Sequence, residues 1–195
     1  MKVLYQSQPA QSVREQTTNR LPVRGKLIAP DGEVIRIPIN PSAPDAWTII
    51  SALQFVIEQY GRDPRVRAAA IRQIRSRVNN DVVNNARTIA RWVMNSMVYL
   101  ADPDGAEFIQ TPLVLLKEID LKGRAYGDCD DHVVLLGSLL NAIGIPAQAT
   151  GVKLYGSPYY NHVVIQYPLN GQMMLIDPCA KVAPTPFYGE RLTTR

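Results

Sequence analysis

Cysteine and histidine are scarce in this chain of 195 residues, which contains two of each. Two cysteines are too few for the disulfide framework of a small secreted domain, so we expect free thiols, with a Cys129–Cys179 disulfide as the alternative. The ligand types of Cys129, His132, His162 and Cys179 would suit a metal, but they lack the paired spacing of a metal centre. We therefore expect neither a metal nor a cofactor.

Long apolar runs are absent as well. No stretch of about 18 apolar residues occurs, which argues against a membrane-spanning helix. The first residues, Met-Lys-Val-Leu-Tyr-Gln-Ser-Gln-Pro, include no apolar stretch of the length found in signal peptides. We therefore expect no membrane span and no secretion by a signal peptide.

Aromatic residues are missing from the most basic part of the chain, residues 62–91. This segment holds eight arginines against Asp63 and Asp81, although the whole chain has a net charge of only +4. Such a segment could bind nucleic acid or an acidic protein surface. A surface for single-stranded nucleic acid would need interleaved aromatic side chains. We therefore interpret it as a solvated helix face, with nucleic acid or an acidic partner as the alternative.

The 15 prolines are concentrated towards the two ends of the chain, which favours extended structure there over helix. Residues 1–20 are polar and without period, and they predict an arm that is ordered by a partner. Residues 22–39 predict a hairpin around the turn Ala-Pro-Asp-Gly-Glu. We assign residues 1–44 to this arm and hairpin, and residues 45–195 to one domain.

Helical periodicity dominates the first part of that domain, residues 45–100. Apolar residues recur at helical spacing after Asp81, whose side chain could cap a helix. The spacing predicts helices over 45–60, over 64–78, from 82 onward, and a short one over 113–119.

The second part, residues 101–180, predicts one buried helix followed by strands. Residues 129–143 are apolar almost all round, as in a central helix, and Gly144 would end it. Three strand-like runs follow, over 147–155, 160–167 and 172–177. The expected fold class is α+β, with a helical layer packed on an antiparallel sheet.

Cys129 lies in Gly127-Asp128-Cys129-Asp130-Asp131, which the pattern places at the first turn of the buried helix. The helix dipole and unpaired N–H groups there favour a thiolate, and the same amides could face an oxyanion. The three carboxylates act in the opposite direction, because negative charge raises a thiol pKa. A buried, inert cysteine is therefore the alternative.

His162 and Asp177 fall on two strands joined by Asn170-Gly171, a strong hairpin signal. A two-residue turn places His162 opposite Cys179, and a four-residue loop places it opposite Asp177. Both registers put His162 and Asp177 on one face of the sheet. An imidazole held by a carboxylate is the arrangement that activates a thiol. A core histidine, and an aspartate that starts a turn before Pro178, are the alternatives.

These motifs resemble the transglutaminase-like superfamily, a branch of the papain-like cysteine fold. The resemblance covers about residues 80–180. It rests on Gly-Asp-Cys-Asp-Asp-His at 127–132, Asn-Ala-Ile-Gly-Ile-Pro-Ala at 141–147, Asn161-His162-Val163 and Leu-Ile-Asp-Pro at 175–178. It implies a catalytic triad in which Cys129 is the nucleophile, His162 its base and Asp177 the orienting group. The second oxyanion donor has no clear counterpart, with Tyr126 as a candidate.

Residues 99–112, Tyr-Leu-Ala-Asp-Pro-Asp-Gly-Ala-Glu-Phe-Ile-Gln-Thr-Pro, resemble the corresponding segment of bacteriophage-encoded members. The resemblance implies a cysteine protease or amidase, or a transglutaminase, acting on a protein or peptide in the host cytoplasm or on a virion. The alternative is a structural or assembly protein of a virion that binds virion proteins through its N-terminal arm and has little or no catalysis.

Overall fold

The computed structural model describes residues 34–38, 46–74, 81–102, 106–154, 156–180 and 191–193. The helices in these ranges are α1 (Ala46–Tyr60), α2 (Pro64–Ile74), α3 (Val82–Ser96), α4 (Pro112–Lys122) and α5 (Cys129–Ala142). The strands are β1 (Val34–Pro38), β2 (Met97–Tyr99), β3 (Ala106–Gln110), β4 (Ala125–Gly127), β5 (Gln148–Val152), β6 (His162–Leu169), β7 (Gln172–Ile176) and β8 (Arg191–Thr193).

Helix α5 is the centre of the fold, as its apolar sequence predicts. Helices α1, α2, α3 and α4 and strand β6 all contact it. Leu135, Leu136, Leu139 and Leu140 are fully buried, and complete burial of one leucine side chain contributes about 1.5–3 kcal/mol. The N-terminus of α5 is therefore held at a fixed place in the molecule.

The main sheet is antiparallel and has the order β7-β6-β5-β8. Strands β6 and β7 are joined by Asn170 and Gly171, whose φ angles are 51° and 78°. Two positive φ angles are what a type I′ hairpin turn requires. The pairing of Ile165 with Ile176 and of Leu169 with Gln172 corresponds to the two-residue turn, one of the two predicted registers. The α+β fold class, with helices on an antiparallel sheet, is confirmed.

Two small sheets were not predicted. β2 and β4 pair in parallel, with Tyr99 opposite Gly127. β1 pairs with β3, Val34 lying opposite Gln110. The first arm of the predicted hairpin, together with its turn and the N-terminal arm, lies outside the described residues. The division of the chain at residue 44 thus stays a prediction.

Several of the arginines in the basic segment make contacts within the domain. Arg67 donates through Nη1 to the backbone carbonyl of Ala142 at the end of α5, at 2.8 Å. Arg65 bonds Asp63 through both its side chain and its backbone. These two arginines therefore have structural roles. Among the described helices, none is both long and apolar enough to cross a membrane.

Candidate active site

Cys129 is the first residue of α5. Asp128 caps the helix, its Oδ1 accepting from the backbone N–H of Asp130 at 3.0 Å. The Cys129 thiol donates to Oδ1 of Asp130 at 3.7 Å, and its sulfur lies within hydrogen-bonding range of the backbone N–H of Val163 on β6. Cys129 remains partly exposed. The start of α5 thus places the sulfur against the beginning of β6.

The electrostatics around Cys129 favour the neutral thiol. Burial raises its pKa well above 9.0, and the carboxylates of Asp130 and Asp128 raise the pKa further. Only the backbone N–H of Val163 acts in the opposite direction among the principal influences. The predicted effect of the neighbouring carboxylates is therefore present, and the thiol needs a base to give up its proton near neutral pH.

His162 and Asp177 are hydrogen-bonded to each other. Nε2 of His162 lies 3.2 Å from Oδ1 of Asp177, and both side chains are buried. The same carboxylate oxygen accepts from the backbone N–H of Cys179 at 2.8 Å, which fixes its position. Because Asp177 engages Nε2, Nδ1 is the ring nitrogen that could take a proton from a thiol.

The three residues selected from the sequence therefore converge at one end of the sheet. His162 is the first residue of β6, the sulfur of Cys129 lies beside the backbone of the next residue, Val163, and Asp177 follows directly after β7. A thiol at a helix start and an imidazole–carboxylate pair on adjacent strands are the parts of a nucleophile–base–orienter arrangement.

A family model of the transglutaminase-like superfamily matches residues 68–178, which is more than half of the chain. The chain belongs to the transglutaminase-like superfamily. No curated protein matches it.

Three solved structures resemble this transglutaminase-like chain. A candidate cysteine protease from Cytophaga hutchinsonii has a TM-score of 0.48 and 16% identity, over 83% of this chain and 60% of that one. A candidate protease from Parabacteroides distasonis has a TM-score of 0.44 and 17% identity, over 66% and 26%. The periplasmic domain of TgpA from Pseudomonas aeruginosa, bound to ethylmercury, has a TM-score of 0.45 and 18% identity, over 67% and 50%. The chain spans 60% or less of the length of each.

Tyr99 lies near the candidate site of this transglutaminase-like domain, and sequence reasoning did not select it. It lies beside Gly127 in the β2–β4 pair, and its ring is tilted against that of His132, with centroids 6.2 Å apart. Burial is the largest of the causes that raise the pKa of Tyr99 to about 12, and the nearby carboxylates of Asp128 and Asp130 raise it further. Tyr99 therefore lies near the start of α5, and its hydroxyl stays protonated as a hydrogen-bond donor. No local pattern signals it, because β2 meets β4 only in the folded chain.

His132 is buried under the first turn of α5. Its Nδ1 lies 2.6 Å from the backbone carbonyl of Asp128, so this nitrogen carries the proton and donates. Burial lowers the pKa of His132. The ring is thus a neutral group that bonds the start of α5 and lies beside the ring of Tyr99.

The structure also places the residues of the disulfide and metal alternatives. Cys129 and Cys179 are both free thiols, and Cys179 is buried. Among the described residues, the ligand atoms that lie within 4.8 Å of one another belong to Asp128, Cys129 and Asp130, and no histidine joins them. A cavity of about 980 Å³ lies between α2 and α4 and reaches Gln110, but neither Cys129 nor His162 lines it.

Proposed function

We propose that this protein is a cysteine-nucleophile acyl-transfer enzyme that acts on amide bonds. Cys129 is the nucleophile, His162 the base and Asp177 the residue that orients His162. The observation that carries the proposal is the hydrogen bond between His162 and Asp177 at 3.2 Å, at the start of β6 where the Cys129 sulfur lies. Membership in the transglutaminase-like superfamily supports the same assignment.

The reaction begins with transfer of the Cys129 thiol proton to Nδ1 of His162. The sulfur forms a bond to the carbonyl carbon of the amide, and the C–N bond breaks as His162 returns the proton to the departing amine. Asp177 accepts from Nε2 of His162 throughout and stabilises the imidazolium. Water or a second amine then attacks the thioester, and Cys129 leaves as a thiol.

Two donors suit the negative charge that develops on the carbonyl oxygen. The backbone N–H of Cys129 is one of the four that α5 cannot satisfy within its own helix. Tyr99 is paired with Gly127 beside the start of α5, and its hydroxyl stays protonated because burial raises its pKa to about 12. We assign Tyr99 as the second oxyanion donor, the place for which the sequence offered Tyr126.

The acceptor is proposed to be water, so that the protein is a peptidase or amidase. We choose water as the acceptor because of the range of activities that the superfamily includes. A protein or peptide is the proposed substrate, and a phage structural protein or peptidoglycan would fit the resemblance of residues 99–112 to phage-encoded members. On that resemblance we also propose a place in the host cytoplasm or on the virion.

The test uses p-nitrophenyl acetate as an acyl donor of known chemistry. The wild-type protein should release p-nitrophenolate and gain one acetyl group on Cys129, identified by peptide mass spectrometry. Cys129→Ala should abolish this acylation and Cys179→Ala should preserve it. Acetylation of neither cysteine, or of Cys179 alone, would contradict the proposal. Fluorescein-casein cleavage and incorporation of dansylcadaverine into casein then distinguish water from an amine as acceptor.

A second candidate function is favoured by the raised pKa of Cys129. A thiol that burial and two carboxylates keep protonated suits a domain retained for binding or assembly of a virion. In that case the N-terminal arm and the basic segment 62–91 would bind virion proteins, an acidic partner or nucleic acid. Copurification of the chain with assembled particles, together with no acylation of Cys129, would support this candidate.

A further inference from the structure

Gln110, the last residue of β3, is bonded to residues on both sides of Cys129. Its backbone N–H donates to Oδ1 of Asp131 at 2.7 Å, and its side-chain Nε2 donates to Oδ2 of the same carboxylate at 2.9 Å. Nε2 also donates to the backbone carbonyl of Tyr126 at 2.7 Å. One glutamine therefore ties β3 to both β4 and α5.

Asp131 is 1% exposed and lies in the first turn of α5, two residues after Cys129. Both its carboxylate oxygens accept from Gln110. These bonds satisfy the hydrogen-bonding capacity of a buried polar group that would be unfavourable without partners. Two hydrogen bonds from one residue to both oxygens of one carboxylate fix the relative position of the two groups and also stabilise the contact. The contact thus defines where the first turn of α5 lies relative to β3.

Gly127 completes this contact by its lack of a side chain. A Cβ at this position would lie 2.1 Å from Oδ2 and 2.5 Å from Cβ of Asp131. The strand β4 can therefore approach Asp131 only where residue 127 is glycine. Since Gly127 is opposite Tyr99 in the β2–β4 pair, the same close approach sets the distance between Tyr99 and the start of α5.

We propose that Gln110 and Asp131 are positioning residues for acyl transfer, and we call the pair the Gln110–Asp131 clamp. It holds the backbone N–H of Cys129 and the Tyr99 hydroxyl in the relative placement that an oxyanion requires. This inference rests on the proposed function of Cys129. Neither residue of the clamp needs to touch the substrate, because each acts through the peptide units of β4 and the first turn of α5.

The clamp makes a specific prediction about two kinds of reaction at the same sulfur. Acylation by p-nitrophenyl acetate develops an oxyanion, whereas alkylation by iodoacetamide does not. Loss of the clamp should therefore slow acylation of Cys129 more than alkylation. A general loss of structure would slow or accelerate both reactions together.

The experiment compares Gln110→Ala, Gln110→Glu, Asp131→Asn and the double variant Gln110→Glu/Asp131→Asn in the full chain. Gln110→Glu places two carboxylates together, and Asp131→Asn places two amide groups together. The double variant restores a hydrogen bond between the two side chains with the original charge, but a glutamate at position 110 cannot donate to the Tyr126 carbonyl. Gln59→Ala, at an exposed glutamine of α1, is the matched control.

We expect each single variant to lower the acylation rate constant about tenfold, the order of effect of a small misplacement. Alkylation of Cys129 should change much less, and the double variant should recover part of the acylation rate. Folded single variants with wild-type acylation, or a double variant no faster than its parents, would overturn the clamp. Should the charged variants not fold, Gln110→Ala decides alone, because it keeps the backbone donor. If the wild type itself is not acylated at Cys129, the proposed function fails, a different result from failure of the clamp.

Discussion

His162 and Asp177 are hydrogen-bonded across a diagonal of the β6–β7 hairpin. The ladder that pairs Ile165 with Ile176 does not place the two residues directly opposite each other. Even so, Nε2 of His162 lies 3.2 Å from Oδ1 of Asp177, because both side chains stand on the same face of the sheet. The same oxygen of Asp177 also accepts a hydrogen bond from the backbone N–H of Cys179.

The first prediction follows from this shared oxygen. Asp177→Ala removes the acceptor for His162, whereas Asp177→Asn keeps a carbonyl oxygen that can accept from Nε2. We expect acylation of Cys129 by p-nitrophenyl acetate to fall about 10²–10³-fold in Asp177→Ala and only about tenfold in Asp177→Asn, in line with the effects of catalytic acid–base groups. Equal rates in the two variants would mean that the hydrogen bond does not orient the ring.

The second prediction separates Tyr99 from Tyr126. Tyr99→Phe removes the proposed oxyanion donor and should lower acylation of Cys129 about 10–10³-fold, as for other oxyanion donors. Alkylation of Cys129 by iodoacetamide should stay near the wild-type rate. Tyr126→Phe is the matched control, since the two tyrosines are similarly exposed, at 38% and 41%. If Tyr126→Phe slows acylation and Tyr99→Phe does not, the assignment is reversed.

The third prediction concerns the carboxylate that the thiol contacts. Asp130→Asn removes a buried negative charge next to Cys129, and this charge contributes to the raised pKa of the thiol. The pKa should therefore fall, and iodoacetamide should alkylate Cys129 several-fold faster at pH 7. Asp120→Asn, whose side chain is 68% exposed on α4, provides the control. An unchanged or slower rate in Asp130→Asn would show that this charge does not govern the thiol.

The fourth prediction is a pH dependence of stability at Asp131. Burial raises the pKa of Asp131 from 3.8 to about 7. The folded state therefore binds the proton more tightly than the unfolded chain, so the stability that this group contributes is complete below pH 4 and is lost as the pH rises through 7. Converted at 1.36 kcal/mol per pH unit, the loss is at most roughly 4 kcal/mol.

Thermal unfolding of the wild type and of Asp131→Asn at pH 5 and pH 8 measures this effect. The asparagine cannot ionise, so the variant should gain stability relative to the wild type as the pH rises. A difference in unfolding free energy that is constant between the two pH values, or that changes in the wild type's favour at pH 8, would contradict the raised pKa.

Local patterns in the sequence were sufficient to predict the helix and the strands that carry the candidate site residues. Apolar residues on all sides predicted α5 over 129–143, and the helix spans Cys129–Ala142. The period of two along each strand and the Asn170-Gly171 turn put His162 and Asp177 on one face in both of the predicted registers. These features depend on residues close together in the chain, which is why they can be derived without a structure.

The rest of the site depends on contacts between distant segments. β2 and β4 have three residues each, too few for a periodic signal, and their pairing joins positions about 28 apart in the chain. That pairing brings Tyr99 to the Cys129 turn. In the same way, the bonds of Gln110 to Asp131 and Tyr126 span 21 and 16 positions. Neither Tyr99 nor the Gln110–Asp131 clamp could be selected from spacing.

The most direct test of the Cys129–His162 relationship is the rate at which iodoacetamide alkylates Cys129 at pH 7 in the wild type and in His162→Ala. Mass spectrometry of the labelled peptides resolves Cys129 from the buried Cys179, which serves as the internal reference. If His162 takes the thiol proton, the rate at Cys129 should fall about tenfold or more in the variant, while Cys179 stays slow in both. Equal rates at Cys129 in a folded His162→Ala protein would contradict the proposed base and with it the triad.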